Sequence, residues 1–328
     1  MADDDRPSIP APAPAVTDVL GEPWVARELP LRPSDAYGAA PRAVLVHQRE
    51  RVSRRAVLYL HGFTDYFFQA AHAQRWVDAG TDFYALDMRL SGRAIGDHPR
   101  PSDVRDLADL DEELAAALEV VRGDGHDQVV LLGHSTGGLV AAGWAVRHPG
   151  TVDAIVLNSP WLELNSGWFE RVVATPAIHV LARWLPSMPV GRLDPGYGRF
   201  LHRTTGGEWE YELAWKPIAG FPARAAFISS VRRAQAAVAR GIDVGAPVLL
   251  CCSDRSGPPK HPSAEELERA DCVLDVAHML ARGPLLGEDV TILTVPGGVH
   301  DLALSRPEAR ARYESAAMAW VDSRLPLA

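Results

Sequence analysis

The stretch "VVLLGHSTGGLVAAGWA", residues 129–145, sets a Gly-His-Ser-Thr-Gly cluster between two apolar runs. The run before it is short and rich in Val and Leu, as a buried strand requires, and the run from Gly138 reads as a helix. Gly-x-Ser-x-Gly is weak by itself and gains meaning only from a strand before it and a helix after it. In that setting Ser135 sits on a turn tight enough to strain its backbone and lift its Oγ to the C-terminal edge of a sheet. Side chains two residues to either side would collide with the serine and with neighbouring strands, which accounts for Gly133 and Gly137. A helix starting beneath the serine aims amide N–H groups and a positive dipole end at the place where negative charge would develop.

Outward from this turn the same alternation repeats. "AVLYLHG" (56–62), "DFYALDM" (82–88) and "AIVLNSP" (154–160) read as strands. Helical patterns fall between them, at 69–80 with Gly80 as a stop, and at 103–123 with Ser102 as the expected cap. Strands apolar on both faces, alternating with helices, predict a parallel sheet covered on both sides. The alternation breaks at Pro160 and resumes at "APVLLCCSD" (246–254), with a last strand in 288–298 and a last helix over 307–325. The stretch 161–240 differs in kind: it is rich in proline and holds five of the nine tryptophans, at 161, 168, 184, 209 and 215. It reads as a helical unit with a small core of its own, as a cap supplying an apolar pocket over the strand ends, or as both. The expected organisation is a flexible tail over 1–22, a core over 23–160 and 241–328, and a helical cap over 161–240.

Composition excludes several classes of function. A net charge of −9 argues against nucleic-acid binding, which needs concentrated Lys and Arg. The one arginine-rich stretch, Arg49 to Arg55, reads as a solvated turn or edge. No run of apolar residues is long enough to span a membrane. The acidic start "MADDDRPSIP" lacks the basic and apolar regions of a secretory signal. Three cysteines, Cys251, Cys252 and Cys272, make neither a disulfide framework nor a metal-ligand spacing, so a reducing cytoplasm is the expected compartment. Cys251 and Cys252, adjacent in a strand, should face opposite sides of the sheet.

A serine hydroxyl is a poor nucleophile and needs a base. Among twelve histidines, His300 stands apart, because it follows a strand and a Gly-Gly turn ("TVPGGVHD") and precedes the last helix. His47, His98, His126, His148 and His202 lie in polar surroundings and are expected at the surface. His72, His179 and His278 fall in helical patterns, and His134 should pack within the turn. A Ser, acid, His order puts the acid after the strand "PVLLCC". Asp254, Asp271 and Asp275 all qualify: the first ends that strand, and the second follows the polar insertion "RSGPPKHPSAEELERA" (255–270) just ahead of a helix. Two backbone N–H groups would hold an oxyanion, that of Thr136 and that of Phe63 in the loop "LYLHGFTDYF" (58–67).

"LHGF" (60–63), "GHSTGG" (133–138), the insertion after "VLNSP" (156–160), "PVLLCCSD" (247–254) and "GGVHDLALS" (297–305) together resemble the α/β-hydrolase fold family. The likeness extends from about residue 40 onward and is nearest to the monoacylglycerol lipase, lysophospholipase and serine aminopeptidase branch. The resemblance implies an α/β fold with a mostly parallel, doubly wound sheet and a helical cap inserted after the sixth strand. It also implies a catalytic triad of Ser135, Asp271 and His300, oxyanion donors Phe63 and Thr136, and no cofactor or metal. Relatives commonly carry the acid just before a helix, which favours Asp271. The expected reaction is hydrolysis of a small carboxylic ester with an apolar acyl or alkyl group. Serine aminopeptidase, thioesterase and acyltransferase chemistry share the fold, as would a non-catalytic binder of small ligands. "HGFTD" lacks the Gly-Gly-Pro-Gly stretch usual in proline-type aminopeptidases, which weighs against peptide cleavage.

Overall fold

Successive residues of the central strands enter different cores, which is how a sheet covered on both faces must be built. The computed structural model describes residues 12–38, 40–164 and 175–327. Its first part contains β1 (Val16–Thr17), β2 (Trp24–Pro30), β3 (Arg42–Gln48), β4 (Arg55–Leu60), α1 (Ala70–Asp78), β5 (Asp82–Asp87), α2 (Asp111–Gly123), β6 (Gln128–His134), α3 (Thr136–Arg147) and β7 (Ala154–Asn158). An inserted region follows, with α4 (Thr175–Trp184), β8 (Pro189–Gly191), α5 (Pro195–Leu201), β9 (Ala223–Arg224) and α6 (Ala225–Ala239). The chain ends with β10 (Val248–Ser253), α7 (Ala264–Arg269), α8 (Val276–Arg282), β11 (Val290–Val295) and α9 (Pro307–Arg324).

The main sheet runs β1-β2-β3-β5-β4-β6-β7-β10-β11. From β5 to β11 every pairing is parallel, and β1, β2 and β3 add an antiparallel edge. Ala56, Leu58 and Leu60 join one core with residues of α2, α3, α6 and α8, while Val57 and Tyr59 join the other with α1 and α9. Cys251 and Cys252 separate in the same way, one to each core. This is the doubly wound α/β sheet expected from the sequence. The insertion follows β7, the sixth strand once the two-residue β1 is set aside. Of the expected cap, 165–174 and with it Trp168 lie outside the described residues.

The inserted region shares a third apolar cluster with the loop after β4. Tyr66 and Phe68 of that loop pack with Leu201 and Tyr211, flanked by Tyr197, Phe200, Trp209 and Trp215. The insertion therefore has a small core of its own, but that core is completed by residues of the main domain.

Several local expectations need correction. Of the tail expected over 1–22, residues 1–11 lie outside the described residues. Val16 and Thr17 pair with β2, and the buried Asp18 takes both Arg93 Nε and Nη2 at 2.6 and 2.7 Å. Ser102 does not cap a helix: it has a φ of 58°, and the neighbouring Asp103 carboxylate takes Arg100 and Ser187, holding the chain in a loop. The helical pattern begins instead with a 3-10 turn over Leu107–Leu110, capped by Asp106. Arg55 is not a surface residue but is buried, donating to Thr81 Oγ1 at 2.9 Å and to the Leu325 carbonyl at 2.7 Å. His47, His126 and His202 are also buried. His47 stacks on Tyr84, His126 bonds the Tyr84 hydroxyl, and His202 bonds the Tyr211 carbonyl. Polar neighbours in sequence misled here, because a strand end or tight turn can hide one side chain while exposing the next. Burial lowers the pKa of His47 and His126 below the ordinary histidine value, which favours their neutral form.

The two glycines around Ser135 are required by contact. A Cβ at Gly137 would stand 2.3 Å from the Leu60 carbonyl oxygen, and one at Gly133 would stand 2.5 Å from that of Gly137. These are backbone atoms, and Leu60 is registered opposite Gly133 in the sheet, so neither can yield cheaply. Gly137→Ala is expected to destabilise the protein by about 3 kcal/mol, the upper part of the usual overpacking range. Gly123→Ala, whose Cβ would meet nothing within 4 Å, should leave the denaturation midpoint unchanged or raise it. Equal midpoints for the Gly137 variant and the wild type would refute the steric account.

Candidate active site

Ser135 stands between β6 and α3 with φ 53° and ψ −116°, a conformation disfavoured for a residue with a side chain. The strain is held by the sheet. Its N–H donates to the Asn158 carbonyl at 3.0 Å, and its own carbonyl accepts from Gly138 and Trp161, each at 3.0 Å. Ser135 Oγ lies 3.1 Å from His300 Nε2. His300 Nδ1 lies 2.9 Å from Asp271 Oδ2.

An ionised carboxylate only accepts, so the hydrogen bond with Asp271 places the ring proton on Nδ1 and leaves the Nε2 lone pair facing the hydroxyl. Asp271 is fully buried, and its second oxygen accepts from Val273 and Leu274 N–H, both at 2.8 Å. The long polar insertion ahead of it is closed at its base. Gly257 donates to the Asp271 carbonyl at 2.8 Å and Asp271 donates to that of Arg255 at 3.1 Å, so residues 255–270 loop out and return the acid to the sheet edge.

The other two aspartates point elsewhere. Asp254 accepts from Gly297 N–H at 3.0 Å. Asp275 caps α8, accepting from Ala277 N–H and Ser256 Oγ.

Thr136 opens α3, so its N–H lies at a helix start beside Ser135. The loop carrying Phe63 presses on the same serine: a Cβ at Gly62 would be 3.2 Å from Ser135 Cβ. The Phe63 ring stacks on Phe227 of α6 with centroids 4.6 Å apart, and Trp161 stands 6.4 Å beyond Phe227. Core and inserted region thus contribute one aromatic wall next to the serine.

Sequence reasoning missed the polar groups behind this line of residues. Asn158 ties the two loops together: its carbonyl takes Ser135 N–H and His134 Nδ1–H, while its side chain donates to Asp301 at 2.7 Å and accepts from Leu302 N–H. Asp301 also takes Gln69 Nε2 at 3.0 Å. Burial works to raise the Asp301 carboxyl, but nearby His134 and the bonds from Asn158 and Gln69 outweigh it and hold the group below the usual carboxylate range. His134 lies 4.9 Å from His300, ring to ring, and burial pushes its pKa below the ordinary histidine value. Tyr197 of α5 meets His300 edge-on at 6.0 Å, and its hydroxyl accepts from Asp301 N–H at 3.0 Å. The Asn158 and Asp301 positions lie within "VLNSP" and "GGVHD", but nothing in their spacing marks them.

Residues 51–255, more than half of the chain, match the family described as serine aminopeptidase, S33. The chain belongs to that family. Members of S33 are α/β-hydrolases, in keeping with the sheet described above. A monoacylglycerol lipase of Mycolicibacterium smegmatis is 33% identical over 144 residues, covering 43% of this chain and 49% of its own length. The 1-acylglycerol-3-phosphate O-acyltransferase ABHD5 of Sus scrofa is 33% identical over 79 residues, 24% of this chain and 22% of that protein. The chain thus spans about half or less of the curated relatives it matches. In fold it is similar to a monoacylglycerol lipase of Paleococcus ferrophilus, with a TM-score of 0.63 and 19% identity over 84% of this chain and 96% of the other. No described helix is long and apolar enough to cross a membrane.

Proposed function

We propose that the protein is a serine hydrolase of carboxylic esters that works through an acyl-enzyme, with Ser135 as nucleophile, His300 as base and Asp271 as its orienting acid. The observation that carries this reading is the unbroken path from hydroxyl to imidazole to buried carboxylate, at 3.1 and 2.9 Å. His300 Nε2 takes the proton as Ser135 Oγ attacks the ester carbonyl. Asp271 stabilises the imidazolium that forms. The N–H groups of Phe63 and Thr136 receive the oxyanion. The tetrahedral adduct collapses, the alcohol leaves with the proton from His300, and water repeats the sequence to release the acid. None of these steps calls on a cofactor.

The wall of Phe63, Phe227 and Trp161 supports an apolar acyl or alkyl group as the part of the substrate held beside the serine. A monoacylglycerol or lysophospholipid has that chemistry, and the mycobacterial relative's name points the same way. With its three free, buried cysteines, we place the protein in a reducing cytoplasm. The acyltransferase among the relatives supports a second reading, in which an alcohol other than water accepts the acyl group. Product analysis with a lipid alcohol present separates the two.

A fluorophosphonate probe followed by peptide mass spectrometry tests the mechanism. The expected result is one phosphonyl adduct, on the peptide bearing Ser135. An unmodified wild-type protein would instead favour a non-catalytic ligand binder. With aryl esters, kcat/KM should rise from acetate towards medium acyl chains. A flat series would remove the apolar pocket from the proposal.

A further inference from the structure

The loop carrying Phe63 is fastened from below by the main domain and from above by the inserted region. Below, His61 Nε2 accepts from Met88 N–H at 3.1 Å, and Phe67 N–H donates to the buried Asp87 at 2.8 Å. Between these anchors Thr64 has a φ of 50°, so the backbone just after Phe63 is strained and needs outside support. That support comes from residues 211–220. Lys216 Nζ makes an ion pair with Asp65, both side chains largely shielded from solvent. The same Asp65 oxygen accepts from Tyr66 N–H at 2.9 Å. Glu212 N–H donates to the Tyr66 hydroxyl at 2.7 Å, and Trp215 meets the Tyr66 ring edge-on at 5.2 Å. Gly220 lies against Thr64, whose Oγ1 would be 3.0 Å from a Cβ at that position.

The choice of side chain is informative. Only two of the chain's 33 basic residues are lysines. The Lys216 ammonium sits 5.3 Å from the Phe68 ring centre and 5.6 Å from that of Tyr211. A compact point charge fits between two rings and a carboxylate, where a planar guanidinium would need more room.

We propose that Lys216 is a positioning residue: by holding Asp65 it fixes the Phe63 N–H where the oxyanion forms, so the inserted region completes the site. This rests on the ester-hydrolase reading above. A donor set before the reaction stabilises the transition state and leaves ground-state binding almost untouched. Lys216→Met in the full chain should therefore lower kcat about 10- to 100-fold, with KM changed less than about threefold. That is less than the roughly 100- to 1000-fold cost of losing an oxyanion donor outright, because the donor is displaced and not removed. Phosphonylation of Ser135 should slow in parallel. Lys216→Arg should fall between the variant and the wild type.

The double variant Lys216→Met, Asp65→Asn separates positioning from simple stability. Removing the unpaired buried carboxylate should restore the melting temperature lost in Lys216→Met while kcat stays low. A folded Lys216→Met protein with wild-type kcat would overturn the proposal, and so would recovery of kcat in step with melting temperature. A wild-type protein inert to esters and to the fluorophosphonate would instead overturn the hydrolase reading itself.

Discussion

Ser135→Ala is expected to lower kcat for a carboxylic ester by about 10⁶-fold, the cost typical of removing a serine nucleophile from a relay of this kind. The neighbouring atoms give no substitute. Thr136 has a hydroxyl, but it begins α3 and follows the strained turn, whereas His300 Nε2 addresses the Oγ of residue 135. Alanine fits the site without strain beyond that already present, so the melting temperature should stay close to that of the wild type. The measurement is kcat on an aryl ester, with active-site titration to exclude contaminating esterase. A variant within a hundredfold of wild type would mean that a group other than Ser135 carries the acyl chain.

Asp271→Asn is the second large effect, expected at about 10⁴-fold in kcat. An asparagine amide donates where the carboxylate accepted, so it favours the tautomer with the proton on His300 Nε2, turned against the serine hydroxyl. The fold should persist, because the remaining side-chain oxygen can still accept from Val273 and Leu274 N–H, now at 2.8 Å. Asp254→Asn and Asp275→Asn should stay within about twofold of wild type, since one braces the Gly297 turn and the other caps α8. If Asp254→Asn abolished turnover while Asp271→Asn did not, the assignment of the acid would fall.

Both expectations draw on residues that a linear reading could nominate. Ser135 and His300 were legible because each occupies a place where a regular element ends, marked by glycines and by a change of periodicity. The residues alone favoured Asp271, beyond the insertion and just ahead of a helix, but left Asp254 and Asp275 open, since all three follow the same strand. Their difference is the bridge that folds 255–270 back on itself, a contact without local signature. The edge pair of β2 and β3 has no clear signature, because β2 interrupts its apolar residues with Arg27 and Glu28 and is only partly buried. The buried histidines failed for a related reason: their flanking residues are polar, and burial is decided by what packs against them.

The amino-acid sequence by itself determined the alternation of strands and helices, the turn at residue 135 and the place of the insertion, because backbone sterics and apolar periodicity are local properties. Only the tertiary structure decided which carboxylate meets His300, how Asn158 and Asp301 brace the two loops, and that Lys216 reaches Asp65 across 151 positions of chain. Those pairings depend on how distant segments are brought together by the sheet, and no residue's neighbours in sequence carry that distance.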